Sequence, residues 1–336
     1  MTPLVDVVIP TRDRPEALVE CLEALARQTV TDIHAIVVDD GSKQPVEDVL
    51  PDDLRARLSI TVLRHPVSRG PAAARNRAIR HGVASYVAFV DDDVRAEPDL
   101  IERHLAVVRA GSDRVISIGP LSAPPDWKPT PWNRWEALQV QAEYDRMEAG
   151  EYVPTWRQFH TGNAFLARTV LHASGLFDER FTRAEDVELA LRMSLRGYRF
   201  AFTAEAVGWH YAYRTLQAWL RIPRAYADFD VLLDRMHPSL GWLTTVRRER
   251  QQRHPIVRAA RLAGRSSLLR ALMTTGFTTG ARILHRGPGI GVAMGLLSVT
   301  YDLEYGAAQE RSERDRARED GDRDTGAVPT ERPQLP

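Results

Sequence analysis

The chain has 336 residues, of which 43% are hydrophobic and 27% are charged, and its 45 basic residues balance its 45 acidic residues. This composition is typical of a globular protein, and the length fits one large α/β domain with a smaller appendage. A net charge of zero gives no global attraction to nucleic acid, so we expect no nucleic-acid partner. A single cysteine, Cys21, excludes an intrachain disulfide. No signal peptide and no apolar run of the roughly 18 residues needed to cross a membrane is visible, which predicts a cytoplasmic protein.

Short apolar runs alternate with helical patterns through the first half of the chain. The predicted strands cover residues 5–9, 33–38, 59–63, 86–90 and 115–118, and the predicted helices cover residues 15–28, 71–81 and 98–109. Each helix has a proline in or near its first turn, where the missing N–H costs no hydrogen bond. Such alternation predicts an α/β fold in which helices cover both faces of a mostly parallel, Rossmann-like central sheet.

The pattern breaks between residues 120 and 159, which are rich in tryptophan and proline. Irregular segments of this length are usually functional, so this stretch is expected to shape substrate specificity. Its tryptophans fit either ordinary packing or a platform for a sugar acceptor. A helix is predicted again over residues 185–196, followed by a last strand over residues 199–203.

The C-terminal third changes in composition. Residues 215–306 are predicted to be helical, with a basic stretch over 247–270 in which arginines alternate with leucine and isoleucine. This stretch fits a solvated helix face, a dimer interface or cap, or a helix at a membrane surface. Residues 307–336 are charged and lack aromatic residues, which predicts a disordered tail. The expected organisation is therefore a first domain over 1–214, a helical region over 215–306 and a tail over 307–336.

The sequence FVDDDV places Asp91, Asp92 and Asp93 directly after a predicted buried strand. Adjacent carboxylates repel one another unless a cation or hydrogen-bond donors compensate their charge. Hard oxygen ligands select a divalent ion such as Mg²⁺ or Mn²⁺, and open α/β sheets bind ligands at the carboxyl ends of their strands. The alternative is a turn followed by a helix N-cap, two positions that aspartate favours.

Four further segments accompany the acidic triplet: VVIPTRDRPEAL at 7–18, VVDDGS at 37–42, SRGPAAARNRAI at 68–79, and 175–200 with its Glu185–Asp186 pair. Together, in this order, they resemble the family 2 glycosyltransferases, inverting enzymes of the GT-A fold that use nucleotide-sugar donors. The resemblance covers roughly residues 4–211.

The resemblance implies a role for each matching residue. Asp40 would accept the N–H of the nucleobase, Asp91 and Asp93 would be the two ends of a DxD motif, and Asp186, next to Glu185, would be the catalytic base. His210 would add a metal contact beside Asp91 and Asp93. The nucleotide-sugar site would comprise Pro10, Thr11, Arg12, Asp40, Arg75, Asp91, Asp92, Gly162 and Asn163. Many family members have tyrosine where this chain has Arg12, although a guanidinium can also stack on a base.

Several of these residues also have simpler interpretations. Glu185 and Asp186 fit a charge pair that the dipole of a helix start favours, and His210 fits a core histidine. The alternative for Arg75 is that its side chain only stabilises the helix to which it belongs. Asp39 is more simply a loop cap than a ligand contact.

The expected function is metal-dependent transfer, with inversion, of a sugar from a UDP-, GDP- or dTDP-linked donor to a sugar or lipid-linked acceptor. Mn²⁺ or Mg²⁺ would be the cofactor, and the enzyme would act in the cytoplasm or at the inner face of the membrane. Membrane contact or self-association would involve 215–306. One alternative is a sugar nucleotidyltransferase, but residues 7–14 lack the glycine-rich loop expected for that class. Another is a non-catalytic sugar-nucleotide-binding protein, although such a protein would be free to lose these acids.

Overall fold

The computed structural model describes residues 2–112 and 114–325. The chain divides into two compact units, Met1–Tyr213 and Arg214–Pro336. The division lies one residue from the predicted boundary after Arg214.

The first unit is an α/β domain. Its strands are β1 Val5–Thr11, β2 Ile33–Asp39, β3 Ser59–Arg64, β4 Tyr86–Val90, β5 Val94–Ala96, β6 Val115–Ile118, β7 Leu121–Ser122, β8 Asn163–Ala167, β9 Arg199–Phe202 and β10 Gly208–His210. Its helices are α1 Pro15–Leu25, α2 Asp52–Arg57, α3 Pro71–His81, α4 Leu100–Ala110, α5 Pro131–Glu148, α6 Arg168–Ser174 and α7 Glu185–Leu195.

Seven strands form the central sheet, in the order β3-β2-β1-β4-β8-β6-β9. The pairs β1–β2, β2–β3, β1–β4 and β6–β9 are parallel, which confirms the prediction of a mostly parallel sheet. β8 is antiparallel to both of its neighbours and was not predicted. The chain order changes direction between β1 and β4, and in open α/β sheets ligands bind at the carboxyl ends of strands at such a switch point.

A small second sheet lies against this edge. β10 pairs in antiparallel fashion with β5 and in parallel fashion with β7. In this register His210 is opposite Val94, the residue that follows the acidic triplet. The pairing therefore carries His210 to the end of β4 from more than a hundred residues further along the chain.

The second unit is helical, as predicted. Its helices are α8 Leu216–Met236, α9 Trp242–Gln251, α10 Pro255–Ala263, α11 Ser267–Leu284 and α12 Ile290–Thr325. The buried Asp230 of α8 accepts hydrogen bonds from the Trp242 indole of α9, at 2.7 Å, and from the Tyr305 hydroxyl of α12. These bonds tie three helices together through one carboxylate. None of the helices in residues 2–112 and 114–325 is long and apolar enough to span a bilayer.

Two predictions about local structure are wrong. The 120–159 segment is not irregular throughout, because it contains the 18-residue helix α5, which Pro131 begins at its first position. The predicted tail is helical as far as Thr325, because Ala308 and Gln309 are buried and the Arg316 guanidinium donates to the Val231 carbonyl of α8 at 2.9 Å. The rest of the predicted tail, 326–336, lies outside the described residues.

Candidate active site

The middle carboxylate of the triplet, Asp92, is buried beyond the carboxyl end of β4. It accepts a hydrogen bond from the Thr11 hydroxyl of β1 at 2.7 Å, and its other oxygen lies 3.0 Å from the Arg14 guanidinium. Burial raises the pKa of Asp92 to about 7, although the positive charge of Arg14 opposes the increase. Asp92 and Thr11 thus join the two strands at the switch point.

The third carboxylate, Asp93, has partners on two sides. One oxygen accepts a hydrogen bond from Arg14 at 2.7 Å, and the other lies 3.3 Å from Nε2 of His210. The Tyr211 N–H donates to the Asp93 carbonyl at 2.9 Å and so fixes the approach of β10. The structure therefore brings together Asp93 and His210, two of the three residues predicted to share a metal, whereas the third, Asp91, is bonded to Arg75.

The Asp93–His210 pair fits a site for Mg²⁺ or Mn²⁺. Neighbouring ligands of an octahedral ion at about 2.1 Å lie about 3 Å apart, close to the separation of these two side chains. Among residues 2–112 and 114–325, no three His, Cys, Asp or Glu side chains form a cluster that could hold a metal on its own. The remaining ligands would have to be phosphate oxygens and water, which is how Mg²⁺ is usually held beside a nucleotide.

The first carboxylate, Asp91, is linked to the Glu185–Asp186 pair through a buried arginine. Arg75 of α3 donates to Asp91 at 3.0 Å and to Glu185 at 2.6 Å. Burial raises the pKa of Glu185, the charge of Arg75 opposes this, and the neighbouring Asp186 adds to it. Arg75 therefore acts across the site and does not only brace its own helix.

Asp186 is only partly buried, unlike Glu185. Its carboxylate accepts hydrogen bonds from the Thr161 N–H at 3.2 Å and from the Val187 N–H at 2.9 Å, with the Thr161 hydroxyl at 3.4 Å. Ala184, which precedes the pair, has a left-handed backbone with a φ of 54°. Of the two predicted catalytic acids, Asp186 is the one that remains accessible.

The loop before β8 lies against Asp91. A Cβ atom on Gly162 would be 3.1 Å from Asp91 Oδ2 and 2.8 Å from a methyl group of Leu121, so a larger residue here would displace the Leu121 side chain. Since Thr161 in the same loop contacts Asp186, the loop connects the triplet to the candidate base. Gly162 thus lies next to Asp91, and its predicted contact with the donor stays a prediction.

Asn163 has a structural position, contrary to the predicted donor contact. Its side-chain amide is buried, donates to the carbonyls of Pro120 and Ala206 at 2.9 and 2.8 Å, and accepts from His104 at 2.8 Å. Each of its polar atoms is thus bonded within the protein. Asn163 holds the loops at the ends of β6 and β9 together.

Asp40 is also enclosed by protein donors. One oxygen accepts from the His65 ring and the Arg69 N–H, and the other from the Ser68 hydroxyl and the Gly70 N–H, at 2.6–2.9 Å. Burial raises the pKa of Asp40, but these hydrogen bonds outweigh it and leave the pKa below its usual value. A carboxylate offers about four acceptor positions, so a nucleobase N–H would have to displace one of these donors.

The other predicted base contacts lie at the same edge of the sheet. Pro10 is in β1 opposite Val38, and Arg12 is exposed, 3.8 Å from Asp13. Asp39 accepts hydrogen bonds from the Ser42 and Val46 N–H groups, which confirms its interpretation as a loop cap.

The four tryptophans of the 120–159 segment differ in their surroundings, and Trp156 packs, partly buried, against the core of the first unit. Trp132 and Trp135 are buried, which favours the packing interpretation for both. Trp127, together with Trp209 of β10, lines an open cleft of about 510 Å³. Successive strand residues point to opposite faces, so Trp209 and this cleft lie across the small sheet from His210 and Asp93.

Arg14 is the site residue that sequence reasoning missed. It lies between the charges of Asp92 and Asp93; burial lowers its pKa, but these charges outweigh burial and raise the pKa above the usual arginine value. Its position two residues beyond Arg12, in a loop at the carboxyl edge of the sheet, was the available signal. A loop cation at this edge is the natural partner for crowded acids that follow a neighbouring strand.

The chain is similar to known glycosyltransferases over part of its length. A pre-mycofactocin glycosyltransferase of Mycobacterium tuberculosis is 30% identical over 241 residues, which cover 70% of this chain and 48% of that protein. A validoxylamine A glucosyltransferase of Streptomyces hygroscopicus subsp. jinggangensis is 30% identical over 61% of this chain and 55% of its own. The match thus spans about half the length of these relatives.

Solved structures share the fold. A mannosyltransferase from Pyrobaculum calidifontis, in complex with GDP-Man and Mn²⁺, superposes with a TM-score of 0.56 at 19% identity, covering 92% of this chain and 88% of that one. Staphylococcus aureus TarS gives a TM-score of 0.50 at 15% identity, over 92% of this chain and 55% of its own. These likenesses confirm the predicted GT-A type of fold. The family model for glycosyl transferase family 2 matches residues 6–173, half of the chain. The chain therefore belongs to glycosyl transferase family 2.

Proposed function

We propose that this protein transfers a sugar, with inversion, from a nucleotide-diphosphate donor to an acceptor hydroxyl. The observation that carries the proposal is the contact between the Asp186 carboxylate and the 161–162 loop, which also lies against Asp91. A candidate base and the acidic triplet thus line one continuous surface at the switch point of the sheet. Such convergence on a single reacting carbon supplies much of the acceleration in group transfer.

In the proposed reaction, Asp186 accepts the proton of the acceptor hydroxyl as that oxygen attacks the anomeric carbon. The bond from this carbon to the diphosphate breaks, and the nucleoside diphosphate leaves with the bonding electrons. Because attack and departure occur on opposite sides of the carbon, the configuration inverts. Glu185 is buried and bonded to Arg75, so its role is to position that arginine, and it does not take the proton.

Asp93 and His210 would hold a Mn²⁺ or Mg²⁺ ion, which supplies electrostatic stabilisation of the departing diphosphate. Arg14 compensates the charges of Asp92 and Asp93 from the other side. The Mn²⁺ and GDP-Man of the Pyrobaculum mannosyltransferase structure support this class of ion and donor. The proposed donors are UDP-, GDP- or dTDP-linked sugars. The proposed acceptors are sugar or lipid-linked molecules, and the proposed reaction takes place on the cytoplasmic side.

The direct test is a panel of nucleotide sugars, each with Mn²⁺, Mg²⁺ or EDTA, scored by thermal stabilisation and by donor hydrolysis. A donor that binds the folded state stabilises it in proportion to the logarithm of its concentration over Kd. We expect one nucleotide sugar to stabilise the protein only when a divalent ion is present, and to be hydrolysed slowly. Stabilisation without hydrolysis or transfer to any acceptor would indicate the non-catalytic binder, and release of pyrophosphate from a nucleoside triphosphate would indicate the nucleotidyltransferase.

The metal assignment makes a separate prediction for His210. We expect His210→Ala to weaken the apparent affinity for Mn²⁺ by about 10–100-fold, as is typical when a supporting contact to a metal is lost. A Mn²⁺ titration of donor-dependent thermal stabilisation measures this. The exposed His254, at the start of α10, provides the control substitution His254→Ala. Equal titration midpoints for both variants and the parent protein would indicate that His210 has a packing role and does not contact the metal.

A further inference from the structure

The second unit has an exposed apolar surface on consecutive helices, here called the α10–α11 face. It consists of Ile256 and Leu262 on α10, Leu268 and Leu272 on α11, and Ile283 near the end of α11. Their side chains are 61–74% exposed. α10 has no buried residue at all, although it is strongly amphipathic. A cluster of exposed large aliphatic side chains marks a contact surface more often than isolated ones do.

α11 has its apolar side turned outward. Its buried residues are Thr274, Thr278 and Ala281, whereas Leu268, Leu272 and Ile283 are exposed. The inner hydroxyls are satisfied, because Thr274 donates to Glu304 of α12 at 3.0 Å and Thr278 donates to the Thr274 carbonyl at 2.8 Å. The bond to Glu304 fixes the orientation of α11 relative to α12, whereas the bond from Thr278 lies within α11. The outward leucines are thus a consequence of specific internal contacts.

The same region is strongly cationic, although the whole chain has no net charge. Residues 251–301 contain no aspartate, glutamate or lysine, and their charged residues are Arg253, Arg258, Arg261, Arg265, Arg270, Arg282 and Arg286. Of these, Arg253, Arg258, Arg265, Arg282 and Arg286 are exposed. Two of the seven pair with acids of α12, Arg261 with Asp302 at 2.8 Å and Arg265 with Glu310 at 3.5 Å. Arginines flank the apolar residues along both helices, so their aliphatic stems can lie on an apolar surface while their guanidinium groups reach a polar one.

We infer that the α10–α11 face binds the surface of an anionic membrane, with its leucine and isoleucine side chains in the acyl boundary and its arginines at lipid phosphates. A helix with an apolar side and a basic side is the usual form of such a contact. A second copy of the chain fits less well, because a two-fold contact would bring this cationic surface against itself. Nucleic acid would pair with the arginines but would leave the aliphatic side chains in water. The inference is independent of the proposed transfer reaction.

The test is flotation of the full chain with vesicles of phosphatidylcholine alone or mixed with phosphatidylglycerol. We expect binding to the mixed vesicles and little binding to phosphatidylcholine. Added salt should weaken binding, since attraction between exposed charges is screened beyond about 10 Å at 0.1 M salt. Flotation needs neither donor nor acceptor. Vesicle binding therefore tests this inference even if the transfer proposal is wrong.

Matched variants distinguish an effect of the α10–α11 face on vesicle binding from the general effect of changing a charge or an apolar side chain. Each basic residue near an anionic surface contributes roughly a fivefold gain in binding, so Arg258→Glu should reduce vesicle affinity by at least about fivefold. Arg221→Glu, at an exposed position of α8, is its control. Leu272→Ser should reduce affinity by about tenfold, because less apolar area leaves water. Val83→Ser, at a position of the first unit that is 67% exposed, is the second control.

Three results would overturn the inference. The first is no flotation of the full chain with mixed vesicles at low salt. The second is an equal loss of binding in the control and test variants. The third is a stable dimer in sedimentation that Leu272→Ser dissociates, which would identify a second copy as the occupant of the face.

Discussion

Two arginines allow four carboxylates to crowd at one edge of the sheet. Arg14 lies between Asp92 and Asp93, and Arg75 lies between Asp91 and Glu185. Without these cations, adjacent aspartates this close together would favour protonation of one or more of them. The site therefore consists of alternating charges, and the arginines hold the acids in place before any substrate binds.

A single substitution tests whether Asp186 is the proton acceptor. Asp186→Asn keeps the shape and most of the hydrogen bonds of the side chain but cannot take a proton from the acceptor. We expect kcat to fall by at least about 10² while donor affinity changes little. Steady-state kinetics and donor binding measure the two effects separately.

Glu185→Gln is the matched control for the base. Glu185 is buried and bonded to Arg75, so this change should lower the free energy of unfolding. Its effect on kcat should be small compared with that of Asp186→Asn. If Glu185→Gln lowers kcat as much as Asp186→Asn does at equal donor occupancy, the two acids act as one unit and the assignment of a single base is incorrect.

Asp92 links the site to stability through pH. Its pKa is about 7 in the folded protein and close to 3.8 in the unfolded chain, so between these values the folded state binds more protons. Stability is therefore highest at the acid end of this window and falls as pH rises through it, by at most about 1.4 kcal/mol per pH unit. Asp92→Asn should remove this decline.

Urea unfolding of the parent protein and of Asp92→Asn at several pH values between 4 and 8 tests this linkage. The difference in free energy of unfolding between the parent protein and Asp92→Asn should change steadily up to about pH 7 and then level off. Thr11→Val, which removes the neutral partner of Asp92, should shift the end of the decline to higher pH. A difference that does not depend on pH would show that Asp92 titrates normally.

At the scale of elements, α3 organises the site. Gly70, with a φ of 89°, turns the chain into the helix, and Pro71 begins it. One turn later, Arg75 reaches Asp91 and Glu185, while the Asn76 amide exchanges two hydrogen bonds with the backbone of Phe177, each 2.9 Å long. α3 thus fixes the loop before α7 and the start of α7 relative to the end of β4.

Removing the central arginine should therefore weaken more than one element. Arg75→Met fills similar space but leaves the buried Glu185 carboxylate unpaired, and losing one partner of a buried ion pair costs about 3–5 kcal/mol. Urea unfolding measures the loss. Arg69→Met is the control, because Arg69 and Glu179 form an exposed pair at 2.9 Å, for which we expect under about 1 kcal/mol. Similar losses in both variants would contradict the bridging role.

The sequence predicted elements well where the pattern is local. The bounds of β4, β6 and α3 match the predictions at both ends, because each is a short, mainly apolar run or a proline-started helix. β8 was missed, since an asparagine followed by four apolar residues does not reveal that this segment enters the sheet between β4 and β6 in the opposite direction. α5 was missed because prolines surround its start and only Pro131 lies inside it.

The same limit applies to the site. The triplet was singled out because it follows a predicted strand, whereas Asp186 and His210 were singled out because they match motifs of the family that the sequence resembles. The inward orientation of Asn163 and the four donors around Asp40 depend on side-chain direction, which spacing along the chain does not give. Long-range pairs such as Arg75–Glu185 join residues 110 positions apart, and no local pattern predicts them.

For the whole molecule, the balanced charge conceals an uneven distribution. Residues 251–301 have only arginines as charged side chains, and the acids that offset them lie elsewhere in the chain. The balance at the level of the chain therefore predicts little about any one surface. The buried core cluster is similarly local, since its members run from Val5 to Ala206 and all belong to the first unit.

The first unit should consequently fold without the second. The described strands of both sheets, and the core cluster from Val5 to Ala206, lie before Arg214. We expect a fragment ending at Tyr213 to unfold cooperatively in urea, with a slope smaller than that of the full chain because less surface is exposed on unfolding. It should also keep the Mn²⁺-dependent donor binding proposed for the site. A fragment ending at Leu195, which lacks β9 and β10, is the control and should show no cooperative transition. A gradual, non-cooperative unfolding curve for the longer fragment would show that the α/β domain requires residues from Arg214 onward.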